Sequence, residues 1–187
     1  IAHLDVSHCK LGAHGVMELL SGLHESKCLV SLWLDDNIGG SDKEATEAAT
    51  KLAMTSEALP NLVAVSFSSG RSTPKDCLLP MFGRLGGNRT LTYLDVSGHG
   101  FGDVGAAALA VCLLANATLI EVYYDRNKVS ISGWQVIAQA MHTNQQVQHL
   151  GFPAADFESF SDGLPKSPNF RRDSLREVFD SMRDCAH

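Results

Sequence analysis

The chain has 187 residues and a formal net charge of -6, long enough for one sizeable core. The acidic balance argues against a nucleic-acid binder, which carries a basic stripe. Its longest apolar run, Ala106 to Leu114, falls far short of the roughly 20 residues that cross a bilayer, so no membrane contact is expected.

The first unit opens at Ile1, with Leu4 and Val6 alternating as in a strand, Cys9 at a turn, Gly15, then Leu19 and Leu23 one helical turn apart. The second starts at Leu29, with Leu32 and Leu34, then Asn37. Its extra length over 41–61 carries Ala45, Ala48, Ala49, Leu52 and Ala53, which predicts a longer helix. The third starts at Leu62, with Val65 and Phe67, then Gly70. Pro74 and Pro80 leave room only for a short helix over Leu78–Leu85.

The fourth starts at Leu91 and repeats the tetrapeptide Leu-Asp-Val-Ser of Leu4–Ser7 at Leu94–Ser97; His99, Gly105, Leu109 and Leu113 follow. The fifth starts at Leu119, with Val122 and Tyr124, Asn127, Gly133, Ile137 and Met141. A sixth start at Val147 leads to Leu150 and Phe152, where the pattern stops. The starts are 28, 33, 29, 28 and 28 residues apart, the period of a solenoid.

This pattern predicts an α/β fold, a leucine-rich repeat solenoid of the ribonuclease-inhibitor-like subclass. Its parallel strands line the concave side of a horseshoe and its helices the convex side. Repeats are expected over 1–157 and a linker over 158–172, from the Pro, Gly and Ser of Asp162–Pro168. A closing helix is expected over 173–187, where Ser174 and Glu177 form a possible capping box ahead of Leu175, Val178, Phe179 and Met182. Such a helix either covers the last repeat or pairs with another chain.

Asn88, Asn116 and Asn144 each lie three residues before a strand start, where they would end the helices. Asn88-Arg-Thr and Asn116-Ala-Thr are also glycosylation sequons, but their shared repeat position favours a structural role. Five scattered cysteines (Cys9, Cys28, Cys77, Cys112, Cys185) form no CxxC pair and read as reduced thiols in a cytoplasmic protein. There is no basic stretch leading into an apolar core, as a signal peptide requires. Because Ile1 already sits at a repeat position, the sequence reads as a piece of a longer chain.

No catalytic constellation stands out. HExxH and paired CxxC motifs are missing, so neither a metal nor a cofactor is expected. Gly98-x-Gly100-x-Gly102 lacks the GxGxxG spacing of a dinucleotide loop, and the repeat explains its place. What remains is a surface, made of the outward strand positions three, five, seven and eight. Trp33, Asp35, Asp36, Tyr93, Asp95, Glu121, Tyr123 and Asp125 are the candidate partner-binding residues there. Exposed Trp and Tyr are favoured anchors, and clustered acids steer a basic protein partner. The competing reading is that the acids solubilise the face, with Asp5 and Asp95 ordering the inner loops.

The run Thr118–Asn144, TLIEVYYDRNKVSISGWQVIAQAMHTN, resembles the late repeats of the CARMIL family, leucine-rich regulators of actin capping protein. The shared features are the Asp125-x-Asn127 turn, Gly133 with an aromatic after it, Ile137-Ala138 and the Asn144 ending. Phe152-Pro153 and the following Asp156 are also similar. The resemblance implies a non-enzymatic interaction scaffold of an actin regulator, associated with the cytoskeleton, whose last repeats or closing helix contribute to a homodimer. Two other readings stay open. One is a leucine-rich inhibitor of a basic enzyme, disfavoured by the low cysteine count. The other is a RanGAP-like GTPase-activating solenoid using Arg126 or Arg71.

Overall fold

The computed structural model describes residues 1–70 and 76–163, with side chains through 160. Among the described residues six short strands alternate with six helices: β1 (His3–Asp5), α1 (Gly12–Leu23), β2 (Ser31–Trp33), α2 (Asp42–Ala58), β3 (Ala64–Ser66), α3 (Leu79–Leu85), β4 (Tyr93–Asp95), α4 (Gly102–Ala115), β5 (Glu121–Tyr123), α5 (Ile131–Thr143), β6 (His149–Leu150) and α6 (Ala154–Gly163). The strands form one parallel sheet in chain order, and every strand pairs with the next in the same register. This is the leucine-rich repeat solenoid that the period predicts.

The register sets the core. Position four of each unit stacks on position four of the next, so Leu32, Val65, Leu94 and Val122 form one fully buried row. Leu34, Phe67, Val96 and Tyr124 form a second at position six. Helices α1 to α5 pack side by side behind them. Helices need about 8–10 Å between axes and strands under about 5 Å, so the stack curves with its strands on the inside. The sixth pair departs from expectation. Leu150 is only partly buried and Phe152 is 44% exposed, because β6 is the edge of the described sheet and no further strand covers them.

Local chemistry explains the helix lengths. The long α2 starts on a complete capping box, in which Ser41 accepts from the Glu44 N–H and the Glu44 carboxylate accepts from the Ser41 N–H. α3 begins with Pro80 in its first turn and lasts seven residues. At Gly105, an added Cβ would fall 2.4 Å from that of Phe101, so the glycine admits the helix start as expected.

Two side-chain ladders tie unit to unit. On the inner turns, the Asn37 amide donates to the Val6 and Leu34 carbonyls and accepts from the Leu11 N–H. The Asn127 amide donates to the Val96 and Tyr124 carbonyls and accepts from the His99 and Gly100 N–H groups. On the outer turns, Asn116 donates to the Leu85 and Asn88 carbonyls, and Asn144 donates to those of Leu113 and Asn116. Asn116 and Asn144 cap α4 and α5. Asn88 and Asn116 are buried with their amides donating inward, which is the structural role expected at both sequons.

The end of the repeats differs from expectation. α6 runs across the boundary drawn at residue 157 and is helical through 163, where a linker was expected from 158. Phe157 and Phe160 pack on Trp134 with ring centroids 6.2 and 6.0 Å away, and this contact rewards the extra turns. The rest of the expected linker and the closing helix over 173–187 lie outside the described residues.

Candidate interaction surface on the strand face

The face of the sheet turned away from the helices carries positions three and five in two aligned rows. Row three runs His3, Ser31, Ala64, Tyr93, Glu121, His149; row five runs Asp5, Trp33, Ser66, Asp95, Tyr123. Trp33 and Tyr93 lie in different rows on strands separated by β3. Because β3 contributes only Ala64 and Ser66, their rings meet above it, edge to face at 5.4 Å. Tyr93 then contacts Tyr123 at 5.5 Å, and Tyr123 contacts His149 at 5.5 Å. A Cβ at Gly151 would fall 2.6 Å from the Tyr123 ring, so that glycine makes room for it. The result is a zigzag aromatic stripe from β2 to β6, half-buried along its length except for the exposed His149.

The carboxylates divide into two groups. Asp36 accepts from the Gly70 N–H and pairs with the His8 Nδ1 at 3.0 Å. Asp125 accepts from the N–H groups of Arg126, Ala155 and Asp156 at 2.7–3.1 Å, which fixes the start of α6. These two are held by the loops. Asp35, Asp95 and Glu121 border the aromatic stripe. Asp35 accepts from the Ser66 hydroxyl and the Ser68 N–H, both at 2.7 Å. Asp95 accepts from the Ser97 N–H at 2.9 Å, and Glu121 receives a long 3.5 Å contact from the Tyr123 hydroxyl. The ion pairs among the described residues, His8–Asp36, Lys43–Glu47 and Arg84–Glu57, leave these three without a cation.

The electrostatics follow from that crowding. Burial pushes the Asp95 carboxyl up, opposed by its bonds from Ser97, and the negative Asp35 adds to the rise. Burial also pushes the Tyr93 phenol up, to about 12, with smaller upward contributions from Asp95, Tyr123, Asp35 and Glu121. Tyr93 therefore presents a neutral O–H at neutral pH. Exposed Asp5 is lowered by its bonds from Ser7. Asp5 and Asp95 each accept the N–H two residues on, which is the loop-ordering role considered for them.

Of the eight candidates, Trp33, Tyr93, Tyr123, Asp35, Asp95 and Glu121 come together, while Asp36 and Asp125 serve the turns. Sequence reasoning did not include His149 among the candidates, although it extends the stripe. The signal was available in the alternation of aromatic residues between positions five and three in the second, fourth, fifth and sixth units. It also passed over the structural use of Asp156, whose carboxylate accepts from the Asn127, Lys128 and Val129 N–H groups. Burial raises the Asp156 carboxyl, the three N–H groups lower it, and Asp125 raises it.

The glycine run is architectural. Gly98 has φ of +83°, and a Cβ there would lie 1.6 Å from the Ser69 carbonyl oxygen. Gly100 and Gly102 also have positive φ. Cys77 and Cys112 are buried, and burial pushes the Cys112 thiol to about 12, which makes it a poor nucleophile. Cys9 and Cys28 are exposed and free. Among the described residues no three His, Cys, Asp or Glu side chains are grouped to hold a metal. No helix of the described residues is long and apolar enough to cross a membrane. Arg126 is exposed with φ of +60°, and Arg71 lies outside the described residues.

Known proteins agree with this architecture. The family model Leucine Rich repeat matches residues 2–20 and 87–110. The human protein named Capping protein, Arp2/3 and myosin-I linker protein 3, of the CARMIL family, is 28% identical over 88% of this chain. The Rho GTPase-activating protein gacW of Dictyostelium discoideum is 29% identical over 83% of it. The chain spans only 14% of the length of each of these relatives. The tropomodulin C-terminal domain of Caenorhabditis elegans superposes with a TM-score of 0.57 at 15% identity, covering 77% of this chain and 84% of that one. It shares the fold. The chain is thus a leucine-rich repeat protein that resembles the CARMIL family.

Proposed function

We propose that this leucine-rich repeat chain is a non-enzymatic interaction scaffold, part of a cytoplasmic regulator of the actin cytoskeleton, and that its strand face holds a protein partner. The observation that carries the reading is the aromatic stripe. Trp33, Tyr93 and Tyr123 are stacked against one another yet left half-exposed on strands that pair with a neighbour on both sides. A stack that the core does not need, in the residue types that anchor interfaces, suits recognition by side chains. The relative's name supplies the partner class: capping protein, the Arp2/3 complex and myosin-I.

The test is retention of each purified partner on the immobilised chain. At least one is expected to bind, and Trp33→Ala with Tyr123→Ala is expected to abolish binding. Failure of all three to bind overturns the actin-regulator reading, and binding that survives the double substitution overturns the choice of face.

A second reading, a GTPase-activating solenoid, is favoured by the likeness to gacW and by the exposed Arg126. GTP hydrolysis by purified Rho that the chain accelerates, and that Arg126→Ala abolishes, would establish it over the scaffold. The inhibitor alternative needs a basic enzyme to bind the same face.

A further inference from the structure

We propose that the aromatic stripe, with Asp35, Asp95 and Glu121 beside it, is a docking surface for an extended protein segment bearing arginine or lysine side chains. The inference rests on the preceding reading that the strand face binds protein, and it names the chemistry of the segment.

The Trp and Tyr rings of the stripe each have a carboxylate two residues away in the chain. Trp33 has Asp35 in the turn that follows, Tyr93 has Asp95, and Tyr123 has Glu121. Residues two apart on a strand point to the same face about 6.5 Å apart. A cation within about 6 Å of a ring centroid is therefore also within reach of that ring's carboxylate, and the arrangement occurs three times along the stripe. The faces of Trp and Tyr attract cations through the ring quadrupole. The planar guanidinium of arginine can stack on the ring and still bond a carboxylate.

Charge complementarity selects this occupant over an acidic or a neutral one. The described ion pairs lie elsewhere, so the three carboxylates meet no internal cation. Asp95 is buried enough for its charge to be disfavoured, with Asp35 adding to the repulsion. An incoming cation relieves both, and an incoming carboxylate worsens both. β3 supplies the floor. Ala64 and Ser66 are small, which lets the Trp33 and Tyr93 rings meet above them, and the Ser66 hydroxyl donates to Asp35 and holds that carboxylate beside the stripe. Strands β2 to β5 pair on both sides, so a segment lying across the stripe is held there by its side chains.

The probes are three fluorescein-labelled octapeptides, (Arg-Ala)4, (Gln-Ala)4 and (Glu-Ala)4, titrated with the full 187-residue chain and followed by anisotropy at 50 and 150 mM NaCl. The arginine peptide is expected to bind saturably, with the other two at least tenfold weaker. Trp33→Ala with Tyr93→Ala is expected to weaken binding at least tenfold. Asp95→Asn with Glu121→Gln, near-isosteric and suited to the case in which the first pair fails to fold, is expected to weaken it about fivefold. Glu18→Gln with Glu25→Gln on the exposed convex side changes overall charge equally and is expected to stay within twofold of the unaltered chain.

Loss of binding as large in Glu18→Gln with Glu25→Gln as in Asp95→Asn with Glu121→Gln would mean diffuse charge attraction and overturns the proposal. Equal binding of the glutamine peptide, or no binding of the arginine peptide, overturns it too. In both of those cases retention of a purified actin-regulatory partner can still hold, so failure of this inference is distinguishable from failure of the scaffold reading.

Discussion

The units over 91–118 and 62–90 lie side by side and solve the same backbone problem in opposite directions. In the regular unit, the position-nine side chain reaches back: His99 is buried, its ring Nε2 meets the Phe67 carbonyl, and its ring stacks on Phe67 at 5.5 Å. A carbonyl can only accept, so that nitrogen carries the proton. The irregular unit has Gly70 at position nine and nothing to send back. There the preceding unit reaches forward, with Asp36 accepting from the Gly70 N–H and Asp35 from the Ser68 N–H. The helices differ as well, fourteen residues in α4 against seven in α3. α3 still closes the core through Met81, Phe82 and Leu85, and Phe82 meets Phe101 edge to face at 5.7 Å. A repeat therefore tolerates a missing rung, because units are tied either by a side chain reaching back to a carbonyl or by one reaching forward to an N–H.

That comparison breaks first at the close contact between the two units. Gly98→Ala puts a Cβ into the Ser69 carbonyl at a φ that L-residues avoid, and a loss of at least about 4 kcal/mol is expected, read by urea denaturation. Gly12→Ala, at similar φ but with nothing within 4 Å, should cost only about 1–2 kcal/mol. Equal losses would show that strain, and not unit-to-unit packing, sets the requirement.

Asn127→Ala removes four hydrogen bonds to backbone groups of its own and the preceding unit, and a loss of about 3 kcal/mol is expected from the groups left unpaired. A loss below about 1 kcal/mol in chemical denaturation would mean that the ladder is decoration.

His99 sharpens the comparison through pH. Burial depresses its folded-state pKa to about 4, partly opposed by its bond to Phe67 and by the negative Asp35 and Asp36. Between about 4 and the ordinary 6.5 the unfolded chain binds a proton that the folded chain does not. Stability therefore falls as pH drops through that window, by at most about 3 kcal/mol. His99→Asn, which keeps a donor for Phe67, should remove that contribution. An unchanged difference between denaturation at pH 7 and pH 4.5 would show that His99 is not its source.

The smallest effect is expected at the missing rung itself. A Cβ at Gly70 would meet the Asp36 carboxylate at 3.0 Å, so Gly70→Asn, though it restores the preferred residue, should change stability by no more than about 1 kcal/mol. A clear rise in melting temperature would mean that forward support from Asp36 is the poorer solution.

Much of the molecule was legible before folding. Alternating apolar pairs and the 28-residue period located all six strands, and the alanine-rich stretch after Ser41 foretold α2. α6 was not legible, because the Gly, Pro and Ser of Asp162–Pro168 read as a linker that takes in its second half. Its helix rests on Phe157 and Phe160 packing against Trp134, an α5 residue about twenty-five positions away. The candidate surface was legible as a set of outward residues but not as a site. Which acids are held by loops depends on N–H groups about thirty residues away, as for Asp36 with Gly70 and Asp125 with Ala155.

The sequence by itself determined the fold, the register and which side chains face outward, because periodicity is a property of spacing and each unit repeats the same local physics. Only the tertiary structure decided that Trp33, Tyr93, Tyr123 and His149 form one continuous stripe and that Asp35, Asp95 and Glu121 border it with no cation paired to them among the described residues. Those facts depend on what neighbouring strands place beside each residue, above all the small Ala64 and Ser66 that let two rings meet across β3.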